Sequence, residues 1–548
     1  MNLHSYDIDQ RFEKSVAYFS MEFAIDQALK IYSGGLGFLA GSHMRSAYDL
    51  KQNMVGVGLL WSFGYYDQAR NEDRSLKPTY TRKFYYFLEE LDLHVTVNIN
   101  GQDVRVKAFL LRPEVFGTAP MILLSTNTDE NDYLARTITH KLYDGNERTR
   151  VAQEIVLGIG GTKVLEALNH KVDLYHMNEG HALPLVYELY KKHYQSMEAL
   201  REHVVFTTHT PEAAGNEVHN IHFLHEMGFF NGHSLETVRE MSGYYDGDDF
   251  SLTVGALRSA KIANAVSKIH GKVANEMWEG VENRCDIISI TNAQNKKYWT
   301  DKTLIRALDE HEEYELYARK KHLKKNLFDV VADQTGKMFD PNVLTIVWAR
   351  RFAEYKRPGL LKYDLERFNK IVNSSDMPVQ IIWAGKPYPT DYGSIDIFNE
   401  LIDISHYYDN IAVLVGYELT LSKILKQGSD IWLNTPRITR EASGTSGMTA
   451  AMNGSIHFSI DDGWHPEFAK DGKNSFTIPA LDHTMPIEEQ DRLDNKHMMD
   501  ILEDKIIPLY YNDQKQWISI MKNAMSEVEY DFDSSRMAAE YYERMFNI

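Results

Sequence analysis

Two short stretches of this sequence combine side chains that bind anions with side chains that bind hydroxyl groups. The stretch VWARRFAEYKRPG (347–359) follows an apolar, β-branched run and holds four basic residues, Arg350, Arg351, Lys356 and Arg357. The stretch EASGTSGMTAAMNG (441–454) places a carboxylate and small polar residues after another apolar run. A charge run is usually a solvated surface, but one that follows a buried strand lies where α/β sheets bind ligands. The two stretches predict a site for an anionic, oxygen-rich ligand.

A third stretch, YSGGLGFLAGSH (32–43), has the glycine spacing of an anion-binding turn. Gly34, Gly35 and Gly37 precede a predicted helix, and glycine lets backbone N–H groups approach an anion near the positive end of the helix. An ordinary turn fits the same residues equally well. This stretch therefore supports an anion site only together with the other two.

The elements around these stretches indicate an α/β protein. Short apolar runs recur, each ending in a polar or glycine-rich turn and followed by helical spacing, at 172–181, 204–211, 285–292, 343–351, 379–386, 411–416 and 429–436. This alternation predicts parallel sheets with helices on both faces. The runs form two groups, separated by the charged helical segment 301–336. We therefore predict two doubly wound, Rossmann-like domains, 1–300 and 301–514, with the active site in the cleft between them.

Composition and charge narrow the class of protein. A net charge of −19 repels nucleic acid and anionic membranes, so neither is an expected partner. The one cysteine, Cys285, excludes an internal disulfide, and the chain has no signal-like start and no run of eighteen apolar residues, so we expect a cytoplasmic protein. The sequence has neither a tight metal-ligand spacing nor a GxSxG motif, so we expect no metal site and no serine hydrolase.

Nine motifs together resemble the α-glucan phosphorylase family, which comprises glycogen, starch and maltodextrin phosphorylases. The motifs are AYFSMEF (17–23), YSGGLGFLAG (32–41), VGVGLLWSFGYYDQ (55–68), HMNEGH (176–181), FTTHTPEAAG (206–215), AVSKIHG (265–271), SITN (289–292), ARRFAEYKRP (349–358) and EASGTSGM (441–448). The resemblance extends from about residue 17 to about residue 470 and is strongest to the short bacterial and archaeal branch. It implies the two-domain glycosyltransferase B (GT-B) fold, in which a C-terminal helix, here 515–548, packs back on the first domain.

The resemblance also implies a reaction, the retaining transfer of glucose between phosphate and the non-reducing end of an α-1,4-glucan. It implies that Arg351 and Lys356 hold the substrate phosphate by charge-assisted contacts. It implies that the backbone N–H groups of Gly34, Gly35 and Gly37 line the phosphate side. Independently of the family, departure of phosphate from a sugar builds negative charge on the phosphate, which clustered cations and N–H dipoles stabilise.

On the sugar side, the resemblance implies that His181 and Asn292 hold the glucosyl unit from the first domain. His181 would also place its backbone carbonyl near the reacting carbon. The hydroxyl-binding residues implied in the second domain are Glu441, Ser443, Gly444 and Thr445. His209 would contact the acceptor glucan. A structural histidine at the end of a strand, hydrogen-bonded to backbone groups, is an equally good interpretation of this residue. Arg350 stands where many family members have a basic residue near the cofactor.

The resemblance departs from the family pattern at Thr449. The family has a lysine here that forms a Schiff base with pyridoxal phosphate, whereas this chain has no lysine between Lys426 and Lys470. A threonine hydroxyl forms no imine, so pyridoxal phosphate, if used, is not attached at 449. The family uses the phosphate of the cofactor for chemistry and the imine as an anchor.

The substitution leaves three functional interpretations open. One is phosphorolysis with glucose 1-phosphate as product and with the cofactor held without an imine at 449. The second is glucan synthesis from ADP-glucose or UDP-glucose without pyridoxal phosphate. Fold relatives that use sugar nucleotides bind the ribose through the residue eight positions after the first Glu of this motif. In this chain that position is Thr449. The third is a catalytically silent glucan-binding or regulatory protein. The family is often dimeric, so a homodimer is a further expectation.

Overall fold

The computed structural model describes residues 2–212, 215–244 and 247–548, without the side chains of residues 193 and 194. Residues 213 and 214, which belong to the motif at 206–215, lie outside these ranges. The chain divides into two compact units, which we call unit 1 (Met1–Tyr66, Tyr80–Asn292 and Ser534–Ile548) and unit 2 (Asp67–Thr79 and Ala293–Asp533). The division differs from the predicted one, because unit 2 begins at 293, includes 67–79 and keeps most of the 515–548 segment.

The strands alternate with helices along most of the chain. The strands of the described residues are β1 (Val16–Phe19), β2 (Met54–Leu59), β3 (Asp67–Arg70), β4 (Leu76–Thr79), β5 (Glu89–Ile99), β6 (Gln102–Leu111), β7 (Met121–Ser125), β8 (Leu174–Asn178), β9 (Val204–Thr207), β10 (Val218–Asn220), β11 (Asp249–Ser251), β12 (Ile262–Ala265), β13 (Asp286–Ser289), β14 (Leu344–Ala349), β15 (Val379–Ala384), β16 (Ile411–Leu414), β17 (Ile431–Asn434), β18 (Ile456–Ile460) and β19 (Ser475–Ile478).

The α-helices cover both faces of the sheets or connect their strands. The helices are α1 (Gly35–Asp49), α2 (Pro113–Phe116), α3 (Tyr133–Thr137), α4 (Glu147–Ile155), α5 (Gly161–Ala167), α6 (Pro184–Leu189), α7 (Met197–Arg201), α8 (Ile221–Met227), α9 (Leu235–Ser242), α10 (Leu252–Ser259), α11 (Lys268–Met277), α12 (Lys296–Trp299), α13 (Lys302–Asp309), α14 (Glu313–Thr335), α15 (Leu365–Val372), α16 (Tyr392–Ser405), α17 (Leu419–Gly428), α18 (Ser446–Ala451), α19 (His465–Phe468), α20 (Ile487–Ile501), α21 (Ile507–Asn512), α22 (Gln514–Asp531) and α23 (Ser534–Tyr541). No helix among the described residues is both long and apolar enough to cross a membrane.

Unit 1 is built on a nine-stranded sheet with the order β13-β12-β9-β8-β1-β2-β7-β6-β5. The strands from β13 to β7 are parallel, and β6 and β5 extend the sheet as an antiparallel pair. Every residue of β1, β2 and β8 is buried, as expected for parallel strands covered on both faces. The strand order reverses between β1 and β8, so the segments that follow these two strands flank the switch point of the sheet.

Unit 2 contains a six-stranded, fully parallel sheet with the order β16-β15-β14-β17-β18-β19. Alternate residues of β14 enter two apolar clusters, because Ile346 and Trp348 pack in one and Val347 and Ala349 in the other. Both faces are therefore covered, and the order corresponds to the doubly wound pattern 3-2-1-4-5-6. Its switch point lies between β14 and β17, directly before the two stretches of the sequence that predicted an anion site.

Candidate functional site

A buried cluster of two cations and a carboxylate lies after β14 and β17 in unit 2. Arg350 Nη2 donates to Glu441 Oε2 at 2.6 Å, and Lys356 Nζ lies 3.4 Å from the same oxygen. Arg350 is only 5% exposed. Burial by itself would raise the pKa of the Glu441 carboxyl, but Arg350 and Lys356 outweigh burial and hold this pKa below its usual value. Glu441 is therefore an ionised acceptor at the switch point.

The guanidinium of Arg350 has donors left over for a ligand. Its Nε and Nη1 atoms are buried and have no hydrogen-bond partner among the described residues. The Oγ of Ser443 is in the same situation. Buried donors without partners are costly, and an oxyanion accepts strongly from a guanidinium. The cluster is thus suited to bind an anion through Arg350. Ser443 and Glu441 could then contact a neighbouring polar group of the ligand.

The loop that carries Glu441 is held by the turn after β18. Glu441 N–H donates to Asp462 Oδ2 at 3.0 Å, and Trp464 N–H donates to the carbonyl of Ser443 at 2.9 Å. Burial raises the pKa of Asp462 to about 7. Gly444 has a φ of 86°, a conformation that favours glycine, and Thr445 is the residue directly before α18. The motif residues 441–445 therefore form one supported loop.

Thr449 lies in α18 and is fully buried. Its Oγ1 donates to the carbonyl of Ser446 at 3.0 Å, a bond within the helix. The side chain offers no amine. A pyridoxal imine therefore does not fit at this position.

Arg351 and Arg350 differ in position although they are neighbours. Arg351, the predicted phosphate ligand, is exposed, whereas Arg350 is buried against Glu441. The structure of unit 2 thus brings Arg350 and Lys356 to Glu441, and the role of Arg351 stays a prediction. Exposure could not be read from the sequence, because both arginines follow the same strand.

In unit 1 the two predicted histidines follow β8 and β9. His181 Nε2 lies 3.7 Å from Glu217 Oε1, and burial followed by the charge of Arg150 lowers the pKa of His181 to about 4. His209 Nε2 lies 2.7 Å from Asn178 Oδ1, and burial lowers the pKa of His209 to about 3. Both imidazoles are therefore neutral at pH 7. His209 is already satisfied by groups of unit 1.

Asn292, the other predicted sugar ligand of unit 1, is buried and keeps an open acceptor. Its N–H donates to the carbonyl of Val266 at 3.0 Å. Its Oδ1 has no hydrogen-bond partner among the residues that the structure describes. An unpaired buried amide oxygen is suited to accept from a ligand hydroxyl.

The glycine-rich turn of unit 1 already binds a carboxylate of the chain itself. Glu22 Oε2 accepts from the N–H of Ser33 at 2.6 Å and from that of Gly34 at 3.0 Å. A Cβ on Gly37 would lie 2.7 Å from the same oxygen, so this glycine is required for the close approach. Gly35 begins α1. The Gly34 N–H group is thus bound to Glu22, and a phosphate contact of the glycines stays a prediction.

Sequence reasoning missed three carboxylates at the two switch points. They are Glu22, Asp462 and Glu179, whose φ is 71° and whose pKa is raised to about 7 by burial. Glu179 Oε1 accepts from the N–H of His209 at 2.6 Å. Each stands directly after an apolar run, which is the signal that could have identified it.

Comparison with known proteins places the chain among the carbohydrate phosphorylases. A family model described as carbohydrate phosphorylase matches residues 273–505. A maltodextrin phosphorylase of Thermococcus litoralis is 30% identical over 602 positions, covering 98% of this chain and 71% of the relative. A glycogen phosphorylase of Aquifex aeolicus is 30% identical and covers 100% of this chain and 88% of the relative. An uncharacterized protein of Methanocaldococcus jannaschii is 48% identical over 97% of this chain and 100% of the relative.

Proposed function

Because this chain belongs to the carbohydrate phosphorylase family, we propose that it is a retaining glucosyltransferase that transfers glucose between an α-1,4-glucan and phosphate. The substrate class follows from the names of the relatives, maltodextrin phosphorylase and glycogen phosphorylase. The site, in this proposal, lies at the carboxyl ends of β14 and β17 in unit 2, where Arg350, Lys356 and Glu441 meet. Glucose 1-phosphate is the expected product of phosphorolysis.

The observation that carries the proposal is the cluster of Arg350, Lys356 and Glu441. An anion would bind the unpaired Nε and Nη1 of Arg350 and Lys356, and the cluster of two cations and one carboxylate would offset one negative charge of a phosphate. Such preorganised cations stabilise the negative charge that grows on a departing phosphate. This arrangement favours phosphate as the partner of the glucan.

The sugar contacts of the proposal use the acceptors nearby. Glu441, whose pKa is held below its usual value, stays ionised and accepts from a sugar hydroxyl while Arg350 and Lys356 fix its orientation. Ser443 contributes an unpaired hydroxyl. In unit 1, Asn292 contributes an unpaired amide oxygen, and neutral His181 contributes a ring nitrogen. The sugar-side assignments thus require no residue to change its protonation at pH 7.

The cofactor part of the proposal is limited by Thr449. Pyridoxal phosphate, when bound in this family, supplies a phosphate that shuttles a proton. An imine at 449 does not fit, so a bound cofactor would be held without an imine at this position. We assign no step to it. The hydroxyl of Thr449 is engaged in α18, so nothing specific favours the ribose contact of the sugar-nucleotide alternative.

The experiment is an assay of the purified full chain with maltodextrin and inorganic phosphate, with and without added pyridoxal phosphate. Glucose 1-phosphate is the expected product, and the absorbance of the protein should show no bound imine. Synthesis from ADP-glucose or UDP-glucose, without phosphorolysis, would replace the proposal by its alternative. Glucan binding without any product would identify the silent homologue instead.

A Thr449→Lys variant sharpens this assay. If it gains a covalent pyridoxal imine and faster phosphorolysis, the site is a phosphorylase site that lacks its anchor. Thr449→Met is the matched control, because it adds a long side chain without an amine. A gain in both variants would show that side-chain length, not imine formation, changes the activity.

A further inference from the structure

A second group of charged side chains lies in unit 1, apart from the residues assigned above. Glu154 belongs to α4, Glu217 precedes β10 and His219 lies in β10. One ligand atom of each of these three residues lies within 4.8 Å of the other two. We call these three residues the 154–219 cluster. A glutamate pair with an imidazole is a donor set that divalent transition metals accept.

Four buried atoms of the 154–219 cluster lack a hydrogen-bond partner in the part of the chain that the structure describes. They are both carboxylate oxygens of Glu154, Oε2 of Glu217 and Nε2 of His219, each buried and without a hydrogen-bond partner among the described residues. Glu154 is fully buried and His219 is 9% exposed. The Nε2 of His219 lies 3.6 Å from Oε2 of Glu217. The closest cation to Glu154 is Arg150, whose Nε lies 3.6 Å from Oε1. Four buried atoms of one cluster without hydrogen bonds point to a missing ligand.

The surrounding residues orient these atoms in the manner of a metal site. His219 Nδ1 lies 2.8 Å from Glu147 Oε1, so Nδ1–H donates to this carboxylate, and in the neutral ring Nε2 carries the lone pair. A histidine that binds a metal usually has such a carboxylate on its other nitrogen. Arg150 donates to Oε1 of Glu217 and leaves Oε2 open. Charge also fits, because two carboxylates and one guanidinium leave a single negative charge.

We propose that the 154–219 cluster binds a divalent transition-metal ion through the Glu154 carboxylate, Glu217 Oε2 and His219 Nε2. The imidazole favours Zn²⁺ or Co²⁺ over Ca²⁺ and Mg²⁺, which prefer oxygen, and the two carboxylates also suit Mn²⁺. The Glu217 side chain is 29% exposed, which gives the ion a way in. The proposal departs from the expectation of no metal, because its ligands are too far apart in sequence to form a motif.

A bound metal would affect the position of His181, a residue predicted to bind the substrate. Oε1 of Glu217 lies 3.7 Å from Nε2 of His181. An ion on Oε2 would fix Glu217 and, through it, the position of His181. The proposal does not depend on the proposed glucan chemistry, because binding is measured without substrate. A proton is the competing occupant, since burial and then Glu217 raise the pKa of Glu154 well above its usual value.

The test is calorimetric titration of the full chain, stripped of metal with a chelator, with Zn²⁺, Co²⁺ and Mn²⁺ separately. At least one ion should bind with one site per chain and raise the melting temperature. Glu154→Gln and His219→Asn should weaken binding at least tenfold and remove the shift in melting temperature. His222→Asn is the control, because His222 is 58% exposed and pairs with Asp248, so its removal should leave binding unchanged.

Two outcomes would overturn the proposal. One is that none of the three ions binds at one site per chain, which would assign the 154–219 cluster to a shared proton. The other is that Glu154→Gln and His219→Asn bind as tightly as the parent. If these variants do not fold, Glu147→Gln is the replacement test. The Glu147 side chain is 61% exposed, and the substitution removes only the carboxylate that pairs with Nδ1 of His219. It should weaken binding about 10–100-fold, and unchanged affinity would contradict the proposal.

Discussion

The two sheets have related topologies but present opposite chemistry at their switch points. In unit 2, the segments after β14 and β17 bring Arg350 and Lys356 to one carboxylate. In unit 1, the segment after β1 brings Glu22 to the glycine-rich turn, and the segment after β8 carries Glu179 and the neutral His181. The comparison teaches that strand order determines where a ligand can bind, whereas the loops determine the charge of the binding site.

The two regions also differ in how completely their charges are paired. Glu441 has two cations within hydrogen-bond reach, whereas among the described residues Glu154 has only Arg150, whose Nε lies 3.6 Å away. A buried carboxylate needs a cation, a proton or a metal. Cations stabilise Glu441 in unit 2, whereas a proton and a metal ion compete for Glu154 in unit 1.

The largest effect is expected from breaking the pair in unit 2. Arg350→Met leaves Glu441 buried with only Lys356, so the free energy of unfolding should fall by about 3–5 kcal/mol. Arg492→Met is the matched control, because Arg492 pairs with Glu489 on the surface, and it should change the free energy of unfolding far less than Arg350→Met does. Urea denaturation of both variants measures the difference. Equal losses would show that the Arg350 pair behaves like a surface pair.

An intermediate effect is expected from the two acids whose pKa is about 7, Asp462 in unit 2 and Glu179 in unit 1. Each has a folded pKa above its unfolded value, so its contribution to stability is complete below about pH 4 and is lost as the pH rises through 7. Relative to the parent, Asp462→Asn and Glu179→Gln should therefore gain about 3–4 kcal/mol between pH 4 and pH 8. Denaturant titrations across this range measure the gain. A gain in only one variant would show that the buried acids of the two units differ in how their protonation contributes to stability.

The smallest effect is expected at Thr449. Thr449→Val keeps the shape of the side chain and removes the bond to the carbonyl of Ser446, so stability should change by less than about 1 kcal/mol. Phosphorolysis should be unchanged, because the hydroxyl serves the helix. Thermal unfolding and the glucose 1-phosphate assay test the two parts. A tenfold loss of activity with unchanged stability would contradict this reading and give the hydroxyl a role in the reaction.

The sequence predicted the α/β class and the loops after β14 and β17, because buried parallel strands have continuous apolar runs. It gave no indication of the pair β5–β6, whose apolar residues alternate with charged ones. The family resemblance is confirmed by the relatives, whereas the residue roles stay predictions. The choice between Arg350 and Arg351 depends on which way each side chain turns after the strand. The 154–219 cluster depends on contacts between distant segments, which no local pattern reports.

Neither unit is one continuous piece of chain, and this has a consequence for folding during synthesis. Ser46 of α1 contacts Ser534 of α23, with their hydroxyl oxygens 2.5 Å apart, and the aromatic residues Tyr541 and Tyr542 are buried in unit 1. Until the ribosome has made all of unit 2, the surface that α23 covers is open to water. Nascent chains that stop before 534 should therefore bind chaperones or aggregate through unit 1.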